Sequence, residues 1–246
     1  MAICRHNDWK VRGDGCYKEC TVCGVWLGNR TDPHNYDGDY YHRNNTIVDG
    51  IPQRQWYWGI HKAIWDQMGI DFTEMERALE YGCGTGQLLW SLYRKYGIRC
   101  LGVEQSFWAY NWQREVHGFD DDYQILNFNV EELDNSILIE VPEHEDRKFN
   151  FIYSCHVMEH LIDPMRMIER SHEMLNSGGT FYMAVPDKEH QKSLHVHKWT
   201  YDEECIRMWF EQAGFKNIQI IQTKPHNPPP VNGEYRGHYL HASGVK

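Results

Sequence analysis

The chain has 246 residues, of which 41% are hydrophobic and 24% are charged, a composition typical of soluble globular proteins. This length suits one full-sized domain and a small extra module, because a typical domain has roughly 100–200 residues. The sequence shows neither the about 20 consecutive apolar residues of a membrane span nor a signal peptide, so we expect a cytoplasmic protein without a membrane partner. The net charge of −10 and the lack of a basic run disfavour nucleic acid as a partner.

The first 30 residues contain half of the eight cysteines and predict a small metal-binding module. Thiolate and imidazole ligands suit zinc, and about 30 residues cannot build a stable core, so the metal would supply the folding energy. The pattern resembles a zinc-ribbon-like knuckle, and we predict one structural zinc held by Cys4, His6, Cys20 and Cys23. Cys16 could replace one ligand, and an arm with unligated thiols is the alternative. The other four cysteines are scattered and are expected to be thiols.

Residues 31–50 are polar and rich in Asp, Asn, Gly and Tyr, which predicts a linker without regular structure. From Pro52 the pattern changes to that of a helix, since proline is favoured at a first helical position. Its apolar positions recur at helical spacing: Trp56, Ile60, Ala63 and Ile64. We interpret this stripe as core packing rather than as a platform for a ligand.

The strongest motif is a glycine-rich turn at residues 82–86. A short apolar strand ends at Glu80 before the turn, and an amphipathic helix begins near Gln87 after it. Glycines let the backbone approach a ligand closely, and a helix N-terminus favours a carboxylate or phosphate. A second predicted strand ends at Glu104, where a carboxylate can bind both hydroxyls of a ribose. The two features together predict a nucleotide-type cofactor.

The motif differs from the nicotinamide pattern Gly-x-Gly-x-x-Gly, because position 87 is Gln. An acid directly before the turn also suits a cofactor that carries an ammonium group. The segment Glu80-Tyr81-Gly82-Cys83-Gly84-Thr85-Gly86 resembles motif I of the class I S-adenosylmethionine-dependent methyltransferases. Further ordered motifs extend this resemblance over residues 50–246, and the block at 149–164 resembles the small-molecule-type branch.

The resemblance implies a binding site for S-adenosyl-L-methionine. The residues that it places at this cofactor are Glu80, Gly82, Gly84, Gly86, Glu104, Gln105, Asn129, Val130 and Ser154. Asn129 stands where the family usually has an aspartate that faces the adenine amine, and an amide oxygen can still accept that hydrogen bond.

Alternating strands and helices predict an α/β protein with a mostly parallel sheet and right-handed crossovers. Strands are expected near 78–81, 98–103, 123–127, 149–154, 179–185, 217–222 and 237–243, and helices near 87–96, 106–117, 164–175 and 202–213. The resemblance implies a Rossmann-like, doubly wound sheet of about seven strands with an antiparallel last strand. We divide the chain into a zinc knuckle at 1–30, a linker at 31–50 and a methyltransferase domain at 51–246.

Three histidines are candidates for catalysis at the acceptor side. His156 follows the fourth strand and could remove a proton from the acceptor, although it could equally pack against the cofactor. His195 and His197 lie in the loop after the fifth strand, where they could contact the acceptor or form structural hydrogen bonds. We list all three as catalytic candidates.

The segment His156-x-x-Glu159-His160 matches an inverted zinc-protease motif. We do not expect proteolysis, because the motif follows a strand directly and ends at Asp163-Pro164, leaving no long helix to present both imidazoles. These three side chains could instead hold a divalent ion. A Pro-rich excursion at 224–235 could be a lid or a passive surface loop.

The favoured function is methyl transfer from S-adenosyl-L-methionine to an oxygen or nitrogen of a small-molecule or glycan-like acceptor. One alternative is an RNA or protein methyltransferase that uses the knuckle for recognition. Another is a non-catalytic binding module that keeps the fold. The sequence does not identify the acceptor or the oligomeric state.

Overall fold

A computed structural model describes residues 6–12, 17–28, 47–48, 51–52, 54–133, 148–188, 197–223 and 238–246. Its strands are β1 (Trp9–Val11), β2 (Tyr17–Cys20), β3 (Trp26–Gly28), β4 (Ile47–Val48), β5 (Ile51–Pro52), β6 (Arg77–Tyr81), β7 (Arg99–Val103), β8 (Tyr123–Leu126), β9 (Phe149–Cys155), β10 (Leu175–Pro186), β11 (Trp199–Thr200), β12 (Lys216–Thr223) and β13 (Tyr239–Val245). The helices are α1 (Arg54–Gln67), α2 (Gln87–Tyr96), α3 (Phe107–Val116), α4 (Pro164–Met174) and α5 (Glu203–Gln212), and Val130–Glu132 form a 3-10 turn.

The central sheet has seven strands in the order β12-β13-β10-β9-β6-β7-β8. The five strands from β10 to β8 are parallel, whereas β13 is antiparallel to both of its neighbours. This confirms the predicted Rossmann-like, mostly parallel α/β sheet with an antiparallel last strand. Observed strand ends agree with the prediction within two residues, except that β10 begins at Leu175 and reaches the predicted start after an irregularity in its pairing with β9.

The sheet has its topological switch point between β6 and β9. The chain proceeds from β6 to β7 and β8 on one side, and then returns to β9 and β10 on the other. Loops that leave the carboxyl ends of β6 and β9 therefore diverge, and ligands of open α/β sheets bind in the crevice between such loops.

Helix α1 packs on the central sheet through a face centred on Trp65. This fully buried ring contacts Phe72, Phe151 and Tyr182 edge to face. Ile64 is also buried, as the predicted stripe requires, but Ala63 is exposed. The helix begins at Arg54 rather than at Pro52, which pairs within β5. Among the described residues, no helix is long and apolar enough to cross a membrane.

The N-terminal strands form a second, antiparallel sheet with the order β1-β2-β3-β11. Its last member, β11, comes from a distant part of the chain and begins two residues after His197, and Trp199 pairs with Leu27. Val25 is buried in the same core as Trp199 and Trp209. The N-terminal module is therefore a small sheet whose fourth strand, β11, is contributed by the later part of the chain. The predicted linker lies almost entirely outside the described residues, so the proposed division at 31–50 stays a prediction.

Candidate cofactor and acceptor site

The glycine turn adopts a backbone conformation that only glycine tolerates well. Gly82, Gly84 and Gly86 have φ angles of 63°, 52° and 72°, all in the left-handed region. A Cβ atom at Gly82 would clash with the side chain of Val157, and one at Gly86 would lie 2.6 Å from the hydroxyl of Tyr123. The turn between β6 and α2 therefore runs close to its neighbours, and a side chain at either position would force it to shift.

Gln113 fixes this turn from α3, a role that the sequence did not reveal. Its buried amide donates to the carbonyl of Gly84 and accepts a hydrogen bond of 2.7 Å from the hydroxyl of Tyr123. His117, one turn further along, lies with Nε2 3.2 Å from the carbonyl oxygen of Thr85. The sequence signal for this role is a glutamine within a helix rich in aromatic residues, because such a helix packs closely and a buried amide needs hydrogen-bond partners.

Glu104 lies at the carboxyl end of β7, beside the glycine turn. Its carboxylate accepts hydrogen bonds from the backbone N–H of Gly84 at 2.8 Å and of Ser106 at 2.7 Å. Only 5% of the residue is exposed. Burial raises the pKa of this carboxyl above its usual value, and the two backbone hydrogen bonds oppose that rise. The carboxylate is therefore held in place at the position predicted for a ribose ligand, while the neighbouring Gln105 is exposed.

Glu80 is also buried, but its carboxylate is bound within the protein. The hydroxyl of Tyr153 donates to it at 2.9 Å. Burial raises the pKa of Glu80 well above its usual value, and the hydrogen bonds with Tyr153 and the backbone of Leu89 offset only part of this rise. The observed contacts assign Glu80 to the support of the turn, and its predicted contact with the cofactor stays a prediction.

The remaining predicted cofactor residues lie on β9 and after β8. Asn129 caps the 3-10 turn, since its side chain accepts from the N–H of Glu131 at 3.1 Å, and Val130 is the buried first residue of that turn. Ser154 is fully buried on β9, and its Oγ has no hydrogen-bond partner among the described residues. Asn129 thus occupies the position of the expected aspartate while using its oxygen locally.

His156 directly follows β9, as predicted, and has a strained backbone. Its φ is 58°, which is uncommon for a residue other than glycine, and its N–H donates to the carbonyl of Ala184 at 2.9 Å. Strain of this kind costs about 1–3 kcal/mol and is concentrated at functional sites. The ring lies 4.6 Å from that of Tyr239, and 26% of the side chain is exposed.

Glu159 brings the acceptor-side histidines together. Its Oε1 lies 3.7 Å from Nδ1 of His156 and 3.9 Å from Nε2 of His160, and only 1% of its side chain is exposed. Burial opposes ionisation, but the imidazoles of His156, His160 and His197 beside the carboxylate outweigh it and lower the pKa of Glu159 to about 2. Its backbone carbonyl accepts from the N–H groups of Lys198 and Trp199. One residue thereby joins the loops that follow β9 and β10.

His197 reaches this cluster from the loop that precedes β11. Its ring lies 5.0 Å from the ring of His160. Ligand atoms of Glu159, His160 and His197 lie within 4.8 Å of one another, so an ion at this edge would involve His197 rather than His156. Residues 156–163 are not helical, as expected from the strand before them and Asp163-Pro164 after them. His195 lies outside the described residues.

Two further histidines lie in the core near His156. Nδ1 of His61 is 3.0 Å from the hydroxyl of Tyr182, which is 2.7 Å from Nδ1 of His241. Burial lowers the pKa of His61 well below its usual value and that of His241 to about 3. Both imidazoles are therefore neutral at physiological pH, and both are fully buried. Neither ring is exposed to a ligand in the crevice, whereas part of the His156 side chain is exposed.

Three of the four predicted zinc ligands meet in the N-terminal sheet. Ligand atoms of His6, Cys20 and Cys23 lie within 4.8 Å of one another, and Nδ1 of His6 is 3.6 Å from Sγ of Cys23. A hydrogen bond with the side chain of Cys205 and another with His6 outweigh the effect of burial and lower the pKa of Cys23 to about 3. Two cysteine sulfurs and an imidazole form a donor set that suits zinc. Cys4 and Cys16 lie outside the described residues.

Comparison with known proteins identifies relatives for most of the chain. A family model described as a methyltransferase domain matches residues 64–220. A tRNA U34 carboxymethyltransferase of Vibrio vulnificus is 21% identical over 174 residues, which are 64% of this chain and 50% of that protein. A ubiquinone biosynthesis O-methyltransferase of Coxiella burnetii is 25% identical over 177 residues, 65% of this chain and 70% of that one. The chain thus spans half the length of the first of these relatives.

Solved structures share the fold. Phosphoethanolamine N-methyltransferase 2 of Haemonchus contortus, in complex with phosphomonomethylethanolamine and S-adenosylhomocysteine, aligns with a TM-score of 0.59 and 15% identity over 77% of this chain and 52% of its own. An S-adenosylmethionine-dependent methyltransferase of Archaeoglobus fulgidus aligns with a TM-score of 0.60 and 14% identity, covering 84% of this chain and 98% of its own. Since the family model covers more than half of the sequence, the chain belongs to the methyltransferase domain family and has the class I S-adenosylmethionine-dependent fold.

Proposed function

We propose that the protein transfers the methyl group of S-adenosyl-L-methionine to an oxygen or nitrogen of a small-molecule or glycan-like acceptor. The observation that carries this proposal is the position of two groups on either side of the switch point. The glycine turn and Glu104 lie at the ends of β6 and β7, and the cluster of His156, Glu159 and His197 lies at the end of β9 and beside β11. Cofactor and acceptor would meet between them.

The cofactor would lie along the glycine turn, with Glu104 binding its ribose hydroxyls. The carboxylate is already oriented by Gly84 and Ser106, so little of its freedom remains to be lost when a ligand binds. Gln105, Asn129 and Val130 would lie on the adenine side and Ser154 near the turn, as the family resemblance implies.

The bound cofactor supplies a methyl group on a sulfonium, whose carbon–sulfur bond breaks as the lone pair of the acceptor forms the new bond. The chain must orient the acceptor and remove its proton. His156 would accept that proton at Nε2, because Nδ1 faces the buried carboxylate of Glu159. The carboxylate fixes the ring and stabilises the imidazolium that results. His197, with His195 from the same loop, would line the acceptor side.

A structural zinc would be held by His6, Cys20 and Cys23, with Cys4 as the fourth ligand. A closed set of four ligands leaves no open position for chemistry, so the ion would stabilise the small N-terminal sheet rather than take part in methyl transfer. The purified protein should then contain about one zinc per chain, and Cys20→Ser should lose it because a hydroxyl is a poorer ligand than a thiolate.

RNA is the second candidate acceptor, because the relative from Vibrio vulnificus acts on tRNA according to its name. The net charge of −10 argues against it, since binding to phosphates requires basic side chains. Salt-sensitive binding of tRNA at low ionic strength would favour this acceptor. Its absence under the same conditions would leave the small-molecule proposal standing.

The proposal can be tested with methyl-labelled S-adenosyl-L-methionine and a panel of acceptors that carry hydroxyl or amine groups, with total tRNA as a separate arm. We expect label on a small acceptor with the wild-type protein. Glu104→Ala should lose transfer through weaker cofactor binding, and His156→Ala should lose transfer while it still binds the cofactor. Transfer to tRNA alone, or full activity of His156→Ala, would contradict the proposal.

A further inference from the structure

The 3-10 turn at Val130–Glu132 follows a segment that is bound to the cofactor-side acid Glu104. The side-chain amide of Asn127 donates to the backbone carbonyl of Glu104 at 2.8 Å, and the N–H of Phe128 donates to the same carbonyl at 3.2 Å. Asn129 then caps the turn. The chain between β8 and the turn is therefore fixed to the end of β7, on the side proposed for the cofactor.

The carboxylate of Glu131 connects this turn to the acceptor-side loop, which comprises residues 156–163. Its Oε1 accepts the N–H of Ile162 at 2.7 Å and the N–H of Asp163 at 2.9 Å. Asp163 is the N-cap of α4, so the carboxylate also lies at the N-terminal end of a helix, where a negative charge is favourable. One oxygen atom thus holds the last two residues of the loop.

Arg170 holds the same turn from α4. Its Nη1 donates to the backbone carbonyl of Glu131 at 3.2 Å and to that of Leu133. Arg170 lies about two helical turns after Asp163, so the 3-10 turn contacts α4 at two separate points. Both the backbone and the carboxylate of Glu131 are bound, which leaves this residue little freedom relative to the helix.

The acceptor-side loop is also held by β11 and the residue that follows it. Nε1 of Trp199 donates to the carbonyl of Leu161 at 2.8 Å, and the hydroxyl of Tyr201 donates to that of Met158 at 2.9 Å. Glu159 lies between these two contacts in the chain. The loop that carries the acceptor-side cluster is therefore fixed by β11 and by the 3-10 turn together.

We infer that Glu131 is a positioning residue that couples binding of the cofactor at the 3-10 turn to the order of the acceptor-side loop. This inference rests on the proposed function, in which Asn129 and Val130 lie on the adenine side of the cofactor. A ligand that fixes the turn also fixes the carboxylate of Glu131, and hence the two N–H groups from which it accepts. Such coupling is reciprocal, so an ordered loop also favours the bound cofactor. Glu131 touches neither the cofactor nor the acceptor in this role.

The test is hydrogen exchange of the full-length protein, with and without saturating S-adenosylhomocysteine, followed by NMR at the amides of Ile162 and Asp163. Both residues are exposed, so we attribute the protection of their N–H groups to Glu131. Glu131→Met removes the acceptor at a similar side-chain length, whereas Glu131→Gln keeps an oxygen that can accept both hydrogen bonds. Glu132→Met is the matched control, because Glu132 is the exposed acid beside Glu131. Calorimetry verifies saturation for each variant.

In the wild type, we expect bound S-adenosylhomocysteine to slow exchange at both amides about fivefold or more, the lower end of typical coupling between two sites. Glu131→Gln and Glu132→Met should retain this slowing, and Glu131→Met should lose it while it still binds the ligand. Wild-type exchange that the ligand leaves unchanged would overturn the inference, and so would slowing that persists in Glu131→Met. Complete loss of ligand binding in folded Glu131→Met would make Glu131 part of the cofactor site and would also overturn it.

Circular dichroism detects a variant that fails to fold. If Glu131→Met does not fold, Glu131→Asp takes its place, because a side chain shorter by one methylene withdraws the carboxylate from both N–H groups. It should likewise lose the slowing, and slowing that persists in Glu131→Asp would overturn the inference. A wild-type protein that binds no S-adenosylhomocysteine would instead refute the proposed function on which the inference rests.

Discussion

Replacement of Glu104 by alanine should weaken cofactor binding strongly. The carboxylate is buried and already accepts two backbone hydrogen bonds, so its remaining lone pairs are aimed without further ordering. A hydrogen bond to a charged group contributes about 1.5–3 kcal/mol, which corresponds to a roughly 10–150-fold increase in Kd. Alanine would also leave the N–H groups of Gly84 and Ser106 without an acceptor, at about 1–3 kcal/mol each if they stay buried. We therefore expect a loss of both affinity and thermal stability.

Calorimetric titration with S-adenosylhomocysteine, well below the melting temperature of the variant, separates these two effects. Glu115→Ala is the control, because Glu115 is an exposed acid on α3 and its replacement removes the same charge. Wild-type affinity should also fall on acidification from a higher pH than for an ordinary glutamate, because burial raises the pKa of Glu104. A Kd of Glu104→Ala within about threefold of the wild type, in a folded protein, would refute the reasoning.

In calorimetry, Gly86→Ala should lower the melting temperature and the free energy of unfolding, the latter by about 2 kcal/mol or more, because its Cβ would clash with Tyr123. The control Gly59→Ala, on an open helix surface, should raise the free energy of unfolding by about 0.5–1 kcal/mol. Gln113→Leu should weaken cofactor binding by releasing the glycine turn, and an unchanged Kd would contradict that role. The lowered pKa of Glu159 adds about 3 kcal/mol to the free energy of unfolding above pH 4.5, and this contribution is lost as the pH falls towards 2. Acid denaturation of Glu159→Gln should lack this contribution. If the proposed zinc site is occupied, removal of the ion by a chelator should raise hydrogen exchange in β11 but not in β6. Unchanged exchange in β11 would contradict a link between the metal and the acceptor side.

Local patterns in the sequence were sufficient to predict the central sheet. Short apolar runs predicted β6 to β9 within two residues of their observed ends, and the glycine turn lies directly after β6 as predicted. Which face of α1 is buried was harder to predict, because Ala63 and Trp65 both suit a helix. Only packing against the sheet determines that Trp65 is buried. Burial of a side chain depends on tertiary contacts that periodicity does not contain.

Long-range contacts were the part that the sequence did not show. The two residues of β11 carry no strand pattern of their own, and their pairing with β3 joins segments about 170 residues apart in the chain. Cys205 looked like one of several scattered thiols, although it lies in the same buried cluster as Cys20 and Cys23. Glu159 attracted notice as a metal ligand, while its contacts with His156 and with the backbone of Trp199 appear only in the fold.

A crystal structure of the protein with S-adenosylhomocysteine would locate both sides of the proposed site. We expect ribose hydroxyls on the carboxylate of Glu104, the backbone of residues 82–86 along the cofactor, and a sulfur atom that faces the side of His156 and His197. A cofactor whose sulfur points away from these histidines, or one that leaves Glu104 untouched, would contradict it.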